Sequence, residues 1–396
     1  MSEMLDVWPA LPVEIRHGSY LSKSWSWENV AVALESEHRH PICQIILFHI
    51  PTSHCERLAA AMQKPFPELT SLRFEADDNT VTSLSDSFLG GSAPLLRRFS
   101  LWNCPFPGTP KLLLSSNQLV VLDLCQIPNS GYISPQDLVT ALSVMSRLES
   151  LCLEFRSPLY PASRPPPPLT RSVLPALTGL TFQGVHEYLE DLLAQIEAPL
   201  LSTLEITFFM DIDFVLPQLH RLISQIESFN SCDRATVRTS DRAIRFTVYR
   251  KSPQLPTLTL AISCRELDWQ LASLAQVRSS SFPFLSTLVH LDIVDYNVPQ
   301  SHWKDDMETT QWLELLNPFT AVKDLRITDQ VARHVFQALE ELVGERVTEI
   351  LPALQNIFLE RLEPLGSVPK YIEGFVAARN LSGHLVAVHR SERTRR

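Results

Sequence analysis

The chain has 396 residues, 45% of them apolar and 20% charged, with 34 Lys plus Arg against 44 Asp plus Glu and a formal charge of −10. Such a chain buries a core and stays soluble, and its net acidity opposes nucleic-acid binding driven by counterion release. Only 11 Gly stand beside 29 Pro, which disfavours glycine-rich phosphate loops, and the densest apolar run, Ile42 to Ile50, is too short to span a membrane.

In chain order, residues 1–41 carry Trp8, Trp25 and Trp27 and read as an N-terminal cap, without a secretory signal at the start. An intracellular protein, cytoplasmic or nuclear, is expected. From residue 42 to 362 a short phrase recurs: a frequent Pro, then apolar residues in the pattern L-x-x-L-x-φ. It appears as Leu69, Leu72 and Phe74; Leu96, Phe99 and Leu101; Leu119, Leu122 and Leu124; and Leu148, Leu151 and Leu153. It continues as Leu177, Leu180 and Phe182; Leu201, Leu204 and Ile206; and Leu255, Leu258 and Leu260. Looser copies start at Ile42, Leu288, Val322 and Leu354. With Arg234 to Ser240 as a degenerate copy, there are twelve repeats of about 28 residues.

Between the copies, helices are expected. Ser134-Pro135-Gln136-Asp137 offers a cap, a first-turn proline and an early acid, while Leu189, Leu192, Leu193 and Ile196 form one stripe. Val331, Val335, Leu339 and Leu342 form another. Three stretches depart from this rhythm. Residues 157–170 form a proline-rich loop, either a stiff connector or an SH3 or WW ligand. Residues 234–251 read as an inserted hairpin. Residues 363–396 form a C-terminal cap and a tail with Arg390, Arg393, Arg395 and Arg396, either frayed or an acidic-partner or import patch.

Period and phrase match the leucine-rich repeat, so the expected fold is α/β: an irregular, ribonuclease-inhibitor-like horseshoe with a parallel concave sheet and outer helices. Catalytic signatures are missing: there is no HExxH, GxSxG or GxxxxGK[ST]. His38 and His40 sit in a charged turn without further ligands, and the seven cysteines, lacking any CxxC, read as scattered buried thiols. The expectation is therefore no enzyme, no metal and no cofactor. Positions flanking the strand leucines point to the concave face: Arg73, Arg98, Trp102, Asp123, Glu154, Glu205, Asp292, Asp324 and Arg326. They either dock a protein bearing a basic patch or simply solubilise the surface.

The phrase set, with Leu5-Asp-Val-Trp8-Pro-Ala-Leu-Pro near the start and Phe375 to His389 near the end, resembles the leucine-rich-repeat F-box proteins of mushroom-forming fungi. The resemblance implies a substrate receptor of a cullin-type ubiquitin ligase, with the F-box binding the adaptor and the repeats choosing the protein to be ubiquitinated. Leu11-Pro12-Val13-Glu14-Ile15 echoes an F-box opening, but only 26 residues separate it from the first repeat. The F-box itself therefore reads as missing. The other function left open is a free-standing repeat scaffold or inhibitor.

Overall fold

The computed structural model describes residues 12–18, 26–35, 42–77, 84–105, 111–158, 171–209, 216–250, 256–264, 267–279, 282–296, 309–342, 344–360 and 369–391. The chain divides into two compact units, Met1–Leu201 and Ser202–Arg396. Each is α/β, with a largely parallel sheet and helices on one side. Among the described residues no helix is long and apolar enough to cross a membrane.

The first unit pairs β1 (Val13–His17), β2 (Ile42–Ile50), β3 (Ser71–Ala76), β4 (Arg98–Trp102), β5 (Val121–Ile127) and β6 (Ser150–Phe155) side by side. A two-stranded pair, β7 (Ser172–Val173) and β9 (Ile196–Glu197), stands apart, while β8 (Gly179–Gly184) joins the main sheet beside β6. Every neighbouring pair in this run is parallel. Leu72, Phe99, Leu122, Leu151 and Leu180 are Cα partners in successive strands, as are Phe74, Leu101, Leu124, Leu153 and Phe182. All ten are at most 2% exposed. At roughly 1.5–3 kcal/mol per buried side chain, these two rows are a main source of the unit's stability.

The proline of the phrase has a specific task. The amides of Leu69, Leu96, Leu177 and Leu201 each donate to the carbonyl three residues earlier, on Phe66, Ala93, Leu174 and Ala198, at 3.1–3.3 Å. Pro67, Pro94, Pro175 and Pro199 occupy the second position of these turns, where a fixed φ helps and no N–H is required. Leu119 and Leu148 close the same turn without proline, at 3.2 and 3.1 Å. One residue further on, the amides of Arg97, Val120, Glu149 and Thr178 start the ladder on Thr70, Arg97, Val120 and Glu149.

Helices in this unit are α1 (Trp27–Glu35), α2 (Thr52–Ala61), α3 (Lys111–Ser115), α4 (Pro135–Leu142) and α5 (His186–Gln195). α4 starts as its sequence dictates: Ser134 Oγ accepts the Asp137 amide at 3.1 Å and donates to the Asp137 carboxylate at 2.6 Å. Leu189, Leu192 and Leu193 line the buried face of α5, whereas Ile196 falls just beyond it in β9. The Gly90-Gly91 pair ends a short 3-10 turn, both residues having φ near +70°. A Cβ on Gly90 would stand 2.7 Å from Pro65.

The second unit contains β10 (Thr203–Phe209), α6 (Pro217–Gln225), β11 (Cys232–Ser240), β12 (Ala243–Arg250), β13 (Pro256–Ser263), α7 (Leu267–Ser279) and β14 (His290–Tyr296). It ends with α8 (Thr309–Leu316), β15 (Asp324–Thr328), α9 (Asp329–Glu340), β16 (Asn356–Glu360), α10 (Lys370–Leu381) and β17 (Ala387–Ser391). Strand order is β10-β13-β12-β11-β14-β15-β16-β17. The expected parallel ladder is interrupted at β12, within the stretch 234–251 that reads as an inserted hairpin. The two-residue link Asp241-Arg242 forces β12 antiparallel to β11, and β13 returns antiparallel to β12. β11 and β13 then pair in parallel with β14 and β10. Leu204, on β10, is the partner of Leu258 on β13. Val331, Val335 and Leu339 of α9 are completely buried.

Candidate functional site

Strand alternation separates two faces in each unit. The leucine rows face the helices, and the intervening side chains lie on the opposite face. In the first unit this opposite face carries Arg73 on β3, Arg98 and Trp102 on β4, Asp123 on β5 and Glu154 on β6. Arg73, Arg98 and Trp102 are exposed, while Asp123 and Glu154 are half-buried. Trp102 is 39% exposed and lies in register between Glu75 and Cys125, so a large apolar surface is presented among polar neighbours.

The basic groups at this face are oriented locally. The Arg73 guanidinium lies 4.6 Å from the Phe48 ring centroid and 3.4 Å from the Glu75 carboxylate. Burial raises the Asp123 carboxyl above the ordinary carboxylate range, while the charges of Arg73 and Arg98 pull it back. Glu154 is in register with Gln183, which donates to the Phe155 carbonyl at 3.1 Å. At one end of the strands, Asn103 (φ 58°) is buried. Its backbone amide donates to the Cys125 carbonyl at 2.9 Å, and its side-chain amide to that of Ala76 at 3.4 Å.

The second unit presents Glu205 on β10, Asp292 on β14, and Asp324 and Arg326 on β15. The last two are engaged with their neighbours. His290 Nδ1 lies 2.8 Å from the Asp324 carboxylate, whose other oxygen accepts from Asn356 Nδ2 at 2.7 Å. Arg326 lies 3.4 Å from Glu360 and 5.7 Å from the Phe358 ring centroid. His389 stacks on Phe358 with centroids 4.9 Å apart.

Sequence reasoning missed two groups. Arg238 and Arg245 are Cα partners on β11 and β12 and both are exposed, so a basic pair interrupts the acidic series read from the phrase copies. These strands lie outside the regular phrase, so the phrase does not mark their outward residues. The thiols are not all scattered either: Cys125 and Cys152 sulfurs lie 3.3 Å apart on β5 and β6. Their spacing of 27 residues is close to the interval at which the sequence phrase recurs, the signal that would have placed them on adjacent strands. Hydrogen bonding to Cys125 and then burial push the Cys152 thiol far up, and burial does the same to Cys104.

His38, His40, Trp8, Trp25, residues 159–170 and residues 392–396 fall outside the described residues. Val13 to Ile15, from the segment that echoes an F-box opening, belong to strand β1, paired in parallel with β2. Neither a known protein-family model nor a curated protein sequence matches the chain.

Proposed function

We propose that the protein is a non-enzymatic recognition module of the leucine-rich-repeat type, and that it serves as the substrate-choosing part of an F-box-type ubiquitin ligase receptor. The observation that carries the recognition reading is the polar face of the first unit: five parallel rungs with buried leucines on one side and Arg73, Arg98, Trp102, Asp123 and Glu154 on the other. A broad ladder of variable side chains around an exposed tryptophan suits a protein surface, since aromatic and arginine anchors carry most binding energy at such interfaces. The ligase assignment rests on the sequence resemblance, and its partners are a ubiquitination substrate and, where an F-box exists, the ligase adaptor.

A second reading, a free-standing scaffold or inhibitor, draws support from one feature: the F-box-like opening runs into a strand of the sheet instead of starting a helical module. Affinity purification of the tagged protein with mass spectrometry separates the two. Recovery of an adaptor and a cullin together with a client protein supports the receptor. A client without ligase subunits supports the scaffold, and absence of any stoichiometric protein partner overturns both.

A further inference from the structure

The pair Cys125 and Cys152 does not act alone. Both side chains lie on the sheet face opposite the helices, and the Glu154 carboxylate joins them, so that one ligand atom from each residue falls within 4.8 Å of the other two. A bulge lies beside the cluster: the β5–β6 register shifts between Leu124 and Ile127, where Gln126 adopts φ 53°. Strand alternation places Cys125 on the outward side next to Cys152, and the residue is buried, 9% exposed. Asp123 is the register partner of Cys152, so a second carboxyl adds negative potential beside the sulfurs.

Two sulfurs and one carboxylate oxygen are a donor set for a thiolate-seeking divalent ion. In a tetrahedral site with metal–sulfur bonds of about 2.3 Å, the two sulfurs stand about 3.8 Å apart. From 3.3 Å this requires an opening of about half an ångström, within reach of cysteine side-chain rotation on a fixed backbone. We propose that Cys125, Cys152 and Glu154 form a binding site for a thiolate-preferring divalent cation of the zinc class, with water as the fourth ligand on the solvent side. Magnesium and calcium, which select all-oxygen shells, are excluded by the two sulfurs. Binding is proton-balanced: the cation displaces one proton from each thiol to solvent, two metal–sulfur bonds form, and no electrons are transferred. The bound ion cross-links β5 to β6 directly beside Trp102, which is Cα partner to Cys125.

The test is a cobalt(II) titration of the reduced, metal-free full chain, followed by absorption spectroscopy. Expected are one high-affinity equivalent, a thiolate-to-cobalt charge-transfer band, tetrahedral d–d bands, bleaching by one equivalent of zinc, and close to two protons released per ion in weak buffer. Cys125→Ser and Cys152→Ser should each abolish the high-affinity charge-transfer band. Glu154→Gln should keep the band and weaken binding at least tenfold. Circular dichroism of each variant checks folding, and Cys264→Ser, a buried thiol elsewhere, serves as the control that leaves the titration unchanged. The proposal is overturned if wild-type protein gives no charge-transfer band, if the band survives both cysteine substitutions, or if the reduced pair only closes to a disulfide on adding peroxide and takes no cobalt.

Discussion

Arg379 tests how the last helix is held. Its side chain is fully buried, with Nη1 donating to the Val347 carbonyl at 3.2 Å and Nη2 to Leu351 and Pro352 carbonyls at 3.3 and 3.2 Å. These contacts tie α10 to the turn that leads into β16. Leu351 O also accepts the Leu354 amide at 3.0 Å, so truncating Arg379 orphans two carbonyls instead of three. At about 1–3 kcal/mol per unsatisfied buried group, Arg379→Met loses about 2–6 kcal/mol. Removing a buried cation returns part of its desolvation cost, which is also why burial lowers the Arg379 pKa. The net expectation is a loss of about 2 kcal/mol, with Arg379→Lys intermediate because its single ammonium cannot span the three acceptors. Urea unfolding followed by far-ultraviolet circular dichroism measures it. A methionine variant as stable as the parent would show that desolvation, and not carbonyl satisfaction, dominates at this site.

Leu151→Ala should cost about 2–5 kcal/mol by denaturant unfolding, whereas Thr181→Ala on the opposite face should stay within about 0.5 kcal/mol; equal losses would contradict the assignment of faces. Ser134→Ala should remove about 1 kcal/mol through loss of the α4 cap, read as a lower midpoint, and an unchanged midpoint would discard the cap. Asp123 has a raised folded pKa, so the folded state holds its proton longer and stability falls as pH rises through the window above the unfolded carboxylate value. Asp123→Asn removes that loss: melting curves at about pH 4 and about pH 7 should show the variant gaining on the parent at the higher pH, and a gain confined to the lower pH would reverse the sign argument. Gly90→Ala should destabilise by at least about 1 kcal/mol, because its φ is left-handed and Pro65 blocks a Cβ; a neutral substitution would require that turn to rearrange freely.

Much of the sheet was legible because the signals were local. Leu72, Leu122, Leu151 and Leu180 mark strand interiors through two-residue alternation, and Pro67, Pro94, Pro175 and Pro199 mark the turns before β3, β4, β8 and β10. Ser134 and Asp137 announce a helix start by hydrogen-bonding capacity alone. The β11–β13 exchange was not legible in the same way. Leu258 and Leu260 carry the same phrase as the parallel copies, and nothing local in them specifies that β13 returns to β10 past two intervening strands. Side-chain neighbourhoods across strands were equally hidden: the pairing of Arg238 with Arg245 depends on the hairpin register, and the Cys125–Cys152 contact depends on the β5–β6 register. For the outward face, sequence supplied which residues alternate away from the core but not which are already engaged, as Asp324 and Arg326 are.

The most direct test compares two sheet-face substitutions, Arg98→Glu with Trp102→Ala, against an exposed helix-side substitution, Arg57→Ala, in quantitative affinity capture of the protein's cellular client. Loss of a tryptophan anchor alone is worth at least about 2 kcal/mol, or roughly thirtyfold in affinity. Recognition through the sheet face requires the first variant to lose the client while melting within a few degrees of the parent, and Arg57→Ala to retain it. Retention by the sheet-face variant, or equal loss by both, would place recognition elsewhere on the molecule.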